Sequence, residues 1–106
     1  MTELGKFLKR LRIDFNEQQQ DMAKKLGISN PLLSSIENGW KSMPNRLVTE
    51  IIYKYHFDLT QIDEFERVVF LNNNMNKKLL EGLDEYSKEY VLNYIWDKKR
   101  KVQNAR

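Results

Sequence analysis

Cysteine is absent from the 106 residues and histidine occurs once. This excludes disulfides, thiol chemistry and a zinc site built from Cys and His, and it suits a reducing compartment. Four glycines and two prolines are too few for a glycine-rich phosphate loop, and no serine or histidine has a partner at catalytic spacing. No apolar run approaches the ~20 residues of a membrane span, and MTELGKFLKR lacks a signal peptide's hydrophobic stretch. The expectation is a cytoplasmic protein with no catalytic residues, metal or cofactor. One sign of charge is barely in excess, at +3, which is compatible with nucleic acid but does not demonstrate it. The charge is uneven: nine basic and seven acidic groups in residues 1–58, one and three in 59–75, eight and five in 76–106.

What is present is helical periodicity. Leu4, Phe7, Leu8, Leu11 and Phe15 form a stripe over residues 2–15, with Thr2 as its N-cap and Lys6, Lys9 and Arg10 on the other face. Gln19 to Gly39, QQDMAKKLGISNPLLSSIENG, reads as two short helices. Met22, Ala23 and Leu26 line one side of the first, and Leu33 and Ile36 line the second. Gly27 ends the first helix because glycine takes a positive φ at no steric cost, and Ser29 carries the hydroxyl to cap the next. The small Ala23 allows a close crossing. The outer face of the second helix holds Asn30, Pro31, Ser34, Ser35 and Asn38, short groups that suit reading of base edges more than catalysis. Pro31 is tolerated in a first turn whose N–H groups lack intrahelical partners.

The spacing of Gln19, Ala23, Gly27, Leu33 and Ile36, closed by Ile36-Glu37-Asn38-Gly39 and followed by Pro44, resembles the helix-turn-helix of the lambdoid phage repressor and Cro family, also called the XRE family. The resemblance covers roughly residues 3–59 and implies an all-α bundle of four to five helices. It further implies a partly buried ion pair between Arg12 and Glu37, a phosphate contact by Gln19 at a helix N-terminus, and backbone contacts by Asn38 and its loop. Arg46 lies close to where related repressors reach the minor groove, although the alignment puts Asn45 there. The expected phosphate set is Gln18, Gln19, Ser29, Asn38, Lys41 and Arg46. The base-reading set is Asn30, Pro31, Ser34 and Ser35, with Asn30 foremost because its amide can donate and accept together on adenine. Leu32 either packs or touches a thymine methyl. Trp40 lies either along the sugar-phosphate edge or back on the core.

Glu17 and Gln18 depart from the family, which has an apolar residue and a Thr, Ser or Asn cap there. The second helix is therefore expected to start earlier, capped by Asn16, with Phe15 supplying the apolar contact. Beyond it, Pro44 and Asn45 open a helix bearing Leu47, Val48, Ile51, Ile52 and Tyr55. Thr60 and Asp63 have capping-box spacing for a fifth helix to about Leu71, and Asn72-Asn73-Asn74 is expected to break it. Met75 to Leu83 reads as a short extended segment or an irregular turn. A last helix from Asp84 to about Val102 is apolar nearly all round between Tyr90 and Trp96. Burial on two sides explains this, which makes Tyr90, Leu92, Ile95 and Trp96 the expected dimer contact.

These readings divide the chain into a DNA-binding domain, 1–74, and a C-terminal dimerisation extension, 75–106. They imply a homodimeric, sequence-specific regulator of double-stranded DNA, a repressor of a bacterium or prophage, resident on the nucleoid when bound. The alternative is an antitoxin whose C-terminal half covers a toxin or another protein partner such as an anti-repressor.

Overall fold

The computed structural model describes residues 2–104, with side chains to residue 101. Within them the chain forms six α-helices and no strand: α1 (Glu3–Asp14), α2 (Gln19–Leu26), α3 (Asn30–Glu37), α4 (Asn45–Lys54), α5 (Leu59–Asn74) and α6 (Glu85–Asn104), with a 3₁₀ turn at Lys78–Leu80 between the last two. The protein is all-α.

Capping explains where most helices begin. The Thr2 hydroxyl accepts from the Gly5 amide at 3.0 Å, and Ser29 Oγ accepts from Leu32 N at 3.2 Å to start α3. Two starts differ from the sequence expectation. Asn16 does not cap α2: it sits at φ 55°, a left-handed turn position that asparagine tolerates, and Gln18 is the N-cap, its amide donating to Asp21 Oδ2 at 2.8 Å. In α5 the capping box is Asp58 with Gln61, not Thr60 with Asp63. Asp58 Oδ1 accepts from Gln61 N at 2.8 Å, and Gln61 Oε1 accepts from Asp58 N at 3.0 Å. Aspartate is the stronger cap, so the helix starts two residues earlier than a Thr60 cap would place it.

Leu4, Leu8 and Leu11 of α1, Met22 and Leu26 of α2, Leu33 and Ile36 of α3 and Leu47 and Ile51 of α4 close one core with Phe65 and Val68 of α5. Phe65 stacks on Phe7 with centroids 5.3 Å apart and meets Phe57 edge-on at the same separation. Leu32 packs against this core, which is the packing half of its two readings. A second, smaller cluster of Leu71, Leu80 and Leu92 holds α6 on the tail of α5, with Phe70, Met75 and Val91 around it. Arg67 of α5 adds a polar clasp, donating to Asn93 Oδ1 at 3.1 Å. Its hydrogen bond to Glu64 raises its pKa further above the usual arginine value, so that charge is constant.

The asparagine run does not break α5. Asn72, Asn73 and Asn74 form its last turn, and the segment after them is a 3₁₀ turn leading to Gly82 at φ 85°. Asp84 receives the Ser87 amide at 2.7 Å to begin α6. That backbone hydrogen bond, with a lesser one from the Ser87 hydroxyl, holds the Asp84 carboxyl below the usual aspartate range.

Candidate nucleic-acid interface

Helix α3 meets α2 across Gly27, whose φ of 70° turns the chain between them. Ala23 and Leu26 are buried beneath α3 together with Leu33 and Ile36. With its apolar side fixed, α3 turns the opposite side outward at its N-terminal half. Asn30 and Pro31 are exposed, while Ser34 and Ser35 are half-buried one turn later. Asn38 follows as the C-cap and donates Nδ2 to Ser34 O at 2.9 Å. The exposed Asn30 amide, with its two N–H donors and one acceptor, and the hydroxyls of Ser29, Ser34 and Ser35 are among the groups this surface can offer an acceptor-rich groove.

The inner end of α3 is locked to α1 by charge. Arg12 Nη1 lies 2.5 Å from Glu37 Oε2, and Nη2 donates to Oε1 at 3.2 Å, with the two side chains 8% and 5% exposed. Gln19 joins this pair, its Nε2 donating to Glu37 Oε1 at 3.2 Å. The amide that the sequence placed on a phosphate is thus shared with the buried carboxylate. Gln18 is exposed, and its side-chain oxygen accepts from Gln20 Nε2 at 3.2 Å. Thr2 closes the same corner, its hydroxyl donating to Glu37 O at 2.5 Å.

Glu17, at the position where the family is apolar, has a local explanation. Its carboxylate accepts from Tyr55 Oη at 2.6 Å and pairs with Lys25. Lys25 Nζ also lies 4.3 Å from the centroid of the Tyr55 ring, and Phe15 packs edge-on to that ring at 4.9 Å. A charge at the junction of α1 and α2 is therefore tied to α4 instead of to an apolar neighbour. Burial first, and the Glu17 hydrogen bond second, push the Tyr55 phenol well above its ordinary value.

After α3 the chain turns through Gly39 at φ 80° into an exposed loop. Trp40 is 79% exposed, which removes the reading that folds it back on the core, and Lys41 points into solvent beside it. The loop is not loose. Asn72 Nδ2 donates to Lys41 O at 3.3 Å, Asn73 bonds both the N–H and the C=O of Met43, and Asn76 Nδ2 reaches Gly39 O at 3.4 Å. Met43 itself is buried. Sequence reasoning missed this brace because three consecutive asparagines at a helix end read locally as a terminator, and nothing in their spacing names a loop 30 residues earlier. Arg46, at the start of α4, is exposed and pairs with Glu50 at 2.7 Å.

Asn30, Pro31, Ser34, Ser35, Gln18, Ser29, Asn38 and Lys41 are thus borne by α3, the residues that cap α2 and α3, and the following loop, with Arg46 at the head of α4. The residues expected at a subunit contact divide. Leu92 is 2% exposed within its own chain, and the Trp96 ring packs tilted against Phe70 with centroids 5.3 Å apart. Both face α5, because α6 needs its own apolar stripe to dock there. Ile95 is half-buried and Tyr90 faces solvent.

A family model described as a helix-turn-helix domain matches residues 5–94 of the chain. No curated protein and no solved structure gives a match. No helix among the described residues is long and apolar enough to cross a membrane.

Proposed function

The chain belongs to this helix-turn-helix family of DNA-binding regulatory domains, and from that premise we propose that it is a transcriptional repressor of the lambdoid Cro-like type, acting as a homodimer on a palindromic operator. Residues 1–74 read the DNA and residues 75–106 join the subunits, in the cytoplasm of a bacterium or on its nucleoid. The observation that carries the reading is α3: a helix clamped at its C-terminal end by Arg12 and Glu37, with short polar groups on its free N-terminal half. A recognition helix enters the major groove in that orientation, and each protomer takes one half-site about one helical turn from the other.

Asn30 reads an adenine through its amide, and Ser34 and Ser35 make less selective contacts. Short side chains give modest discrimination per contact, so groove shape contributes to specificity. Gln18, Ser29, Asn38, Lys41 and Arg46 set the register on phosphates, and Gln19 adds its exposed edge while bound to Glu37. Arg46 reaches DNA by exchanging Glu50 for a phosphate, a cheap exchange because an exposed i,i+4 pair contributes only about 0.3–0.5 kcal/mol.

The test is selection of genomic fragments by the purified protein, followed by titration of the best site across a salt series. A palindromic preference that weakens with salt and is lost in Asn30→Ala and Ser34→Ala is the expected result. Equal affinity for a scrambled sequence overturns it.

A further inference from the structure

We propose that two copies of this chain join through the outer face of α6, packed antiparallel with Tyr90 on the two-fold axis. This deepens the homodimer reading above and rests on it. Tyr86, Tyr90 and Tyr94 follow one another at one-turn spacing and are 79%, 68% and 58% exposed, while Leu92 and Trp96 on the opposite side already anchor the helix to α5. A helix docked on its own domain by one face has no internal use for three aromatic rings on the other. Tyrosine supplies large contact area with few rotors and a hydroxyl that stays wet at the rim.

Charge selects the partner and its direction. The approach to α6 and its first turn carry Glu81, Asp84 and Glu85 against one cation, Lys88, and its last turns carry Lys98, Lys99, Arg100 and Lys101 against one carboxylate, Asp97. Arg100 is held by Asp63 at 2.6 Å and Lys99 lies over the Phe70 ring, which leaves Lys98 and Lys101 for the outer side. Lys98 already leans over the Tyr94 ring at 5.4 Å. A parallel pairing sets like charges side by side at both ends. An antiparallel pairing sets the acidic start of each helix beside the basic end of the other and also opposes the two helix dipoles. The face is then self-complementary, as a two-fold contact requires: Tyr86 meets the partner's Tyr94, and Tyr90 meets its own copy.

Because the chain has no cysteine, single substitutions report this register without background. Four residues of helix advance roughly 6 Å, so about 12 Å separates the two copies of position 86, or of position 94, when position 90 lies on the axis. A disulfide needs Cα atoms within about 6.8 Å. Oxidation of full-length Tyr90→Cys should give a covalent dimer. Tyr86→Cys alone and Tyr94→Cys alone should stay uncoupled, and an equal mixture of those two should couple. Sedimentation of the cysteine-free parent in the absence of DNA should show a dimer, and Tyr90→Glu, which sets two like charges on the axis, should weaken it at least tenfold with helical circular dichroism unchanged. A dimeric mass with no coupling at position 90, or self-coupling at all three positions, overturns the antiparallel face and leaves the homodimer standing. A monomeric mass at every concentration overturns both, and neither result bears on DNA affinity, which the salt series measures separately.

Discussion

Asn73 grips Met43 from both sides of one residue: its Oδ1 accepts from the Met43 amide at 2.8 Å and its Nδ2 donates to the Met43 carbonyl at 3.0 Å. The side chain thereby imitates a backbone pairing and ties the end of α5 to the loop that leaves α3. The same α5 tail carries Leu71, which anchors α6. One helix therefore braces the loop after α3 from one side and the C-terminal helix from the other.

Asn73→Ala should free Met43 N–H and C=O, a loss of about 1–3 kcal/mol for buried groups left without partners. Hydrogen exchange of the Met43 amide should accelerate accordingly. DNA affinity should fall as well, through a less ordered Trp40–Lys41 segment, even though Asn73 itself belongs to α5. An unchanged Met43 exchange rate would remove the brace.

The Arg12–Glu37 pair is the most deeply buried charge in the domain. Glu37→Gln leaves Arg12 with a neutral acceptor where it had a bidentate carboxylate. Breaking such a pair from one side costs about 3–5 kcal/mol, since the stranded charge keeps its desolvation penalty. Arg12→Met alone should cost a comparable amount, whereas the double variant Arg12→Met with Glu37→Leu should recover most of the loss. Thermal denaturation of the parent, Arg12→Met, Glu37→Leu and the double variant reads the cycle, and additive single losses would show that the two residues act independently.

How much of this was legible in the sequence follows from what is local. The stripe Leu4, Leu8, Leu11, the turn at Gly27, the cap at Ser29 and the pairing of short helices depend on neighbours within a turn or two, and the periodicity carries them. The start of α2 was misread because Asn16 is equally suited to a cap and to a left-handed turn, and the choice is made by Glu17 binding Tyr55, 38 residues away. The asparagine run was misread for the same reason: its partners are remote backbone groups. On α6, apolar residues nearly all round led to the expectation of a subunit contact that included Leu92 and Trp96, whereas both face α5 of their own chain.

Tyr55 gives the domain a pH signature. Its phenol is pushed above the ordinary value of 10.0, by burial first and by the Glu17 carboxylate next. A folded-state pKa above the unfolded one contributes stability that is fully present below about pH 10 and lost as pH rises from there toward the folded value. Absorbance at alkaline pH should show a late phenol ionisation that coincides with unfolding. Tyr55→Phe should abolish the late step and flatten stability above pH 10. A parent protein with no late step, or one whose late step survives Tyr55→Phe, would contradict the buried assignment.

Gly39 tests how tightly α1 and the loop after α3 are packed. Its φ is 80°, and a Cβ built there would lie 3.1 Å from Thr2 Cγ2 and 3.6 Å from Asn72 Oδ1. Two separable penalties follow for Gly39→Ala. The backbone term, a left-handed conformation for a residue with a Cβ, costs of order 1–2 kcal/mol. The contact with Thr2 adds to it, because Thr2 cannot swing aside without giving up its hydroxyl bonds to Gly5 and Glu37. Thr2→Ser keeps the hydroxyl and removes the methyl that blocks. Denaturant unfolding should therefore rank the parent first, Gly39→Ala with Thr2→Ser next, and Gly39→Ala alone last. If the Thr2→Ser background gives no relief, the cost at Gly39 is wholly in the backbone, and the loop is shaped by its own turn rather than by the start of α1.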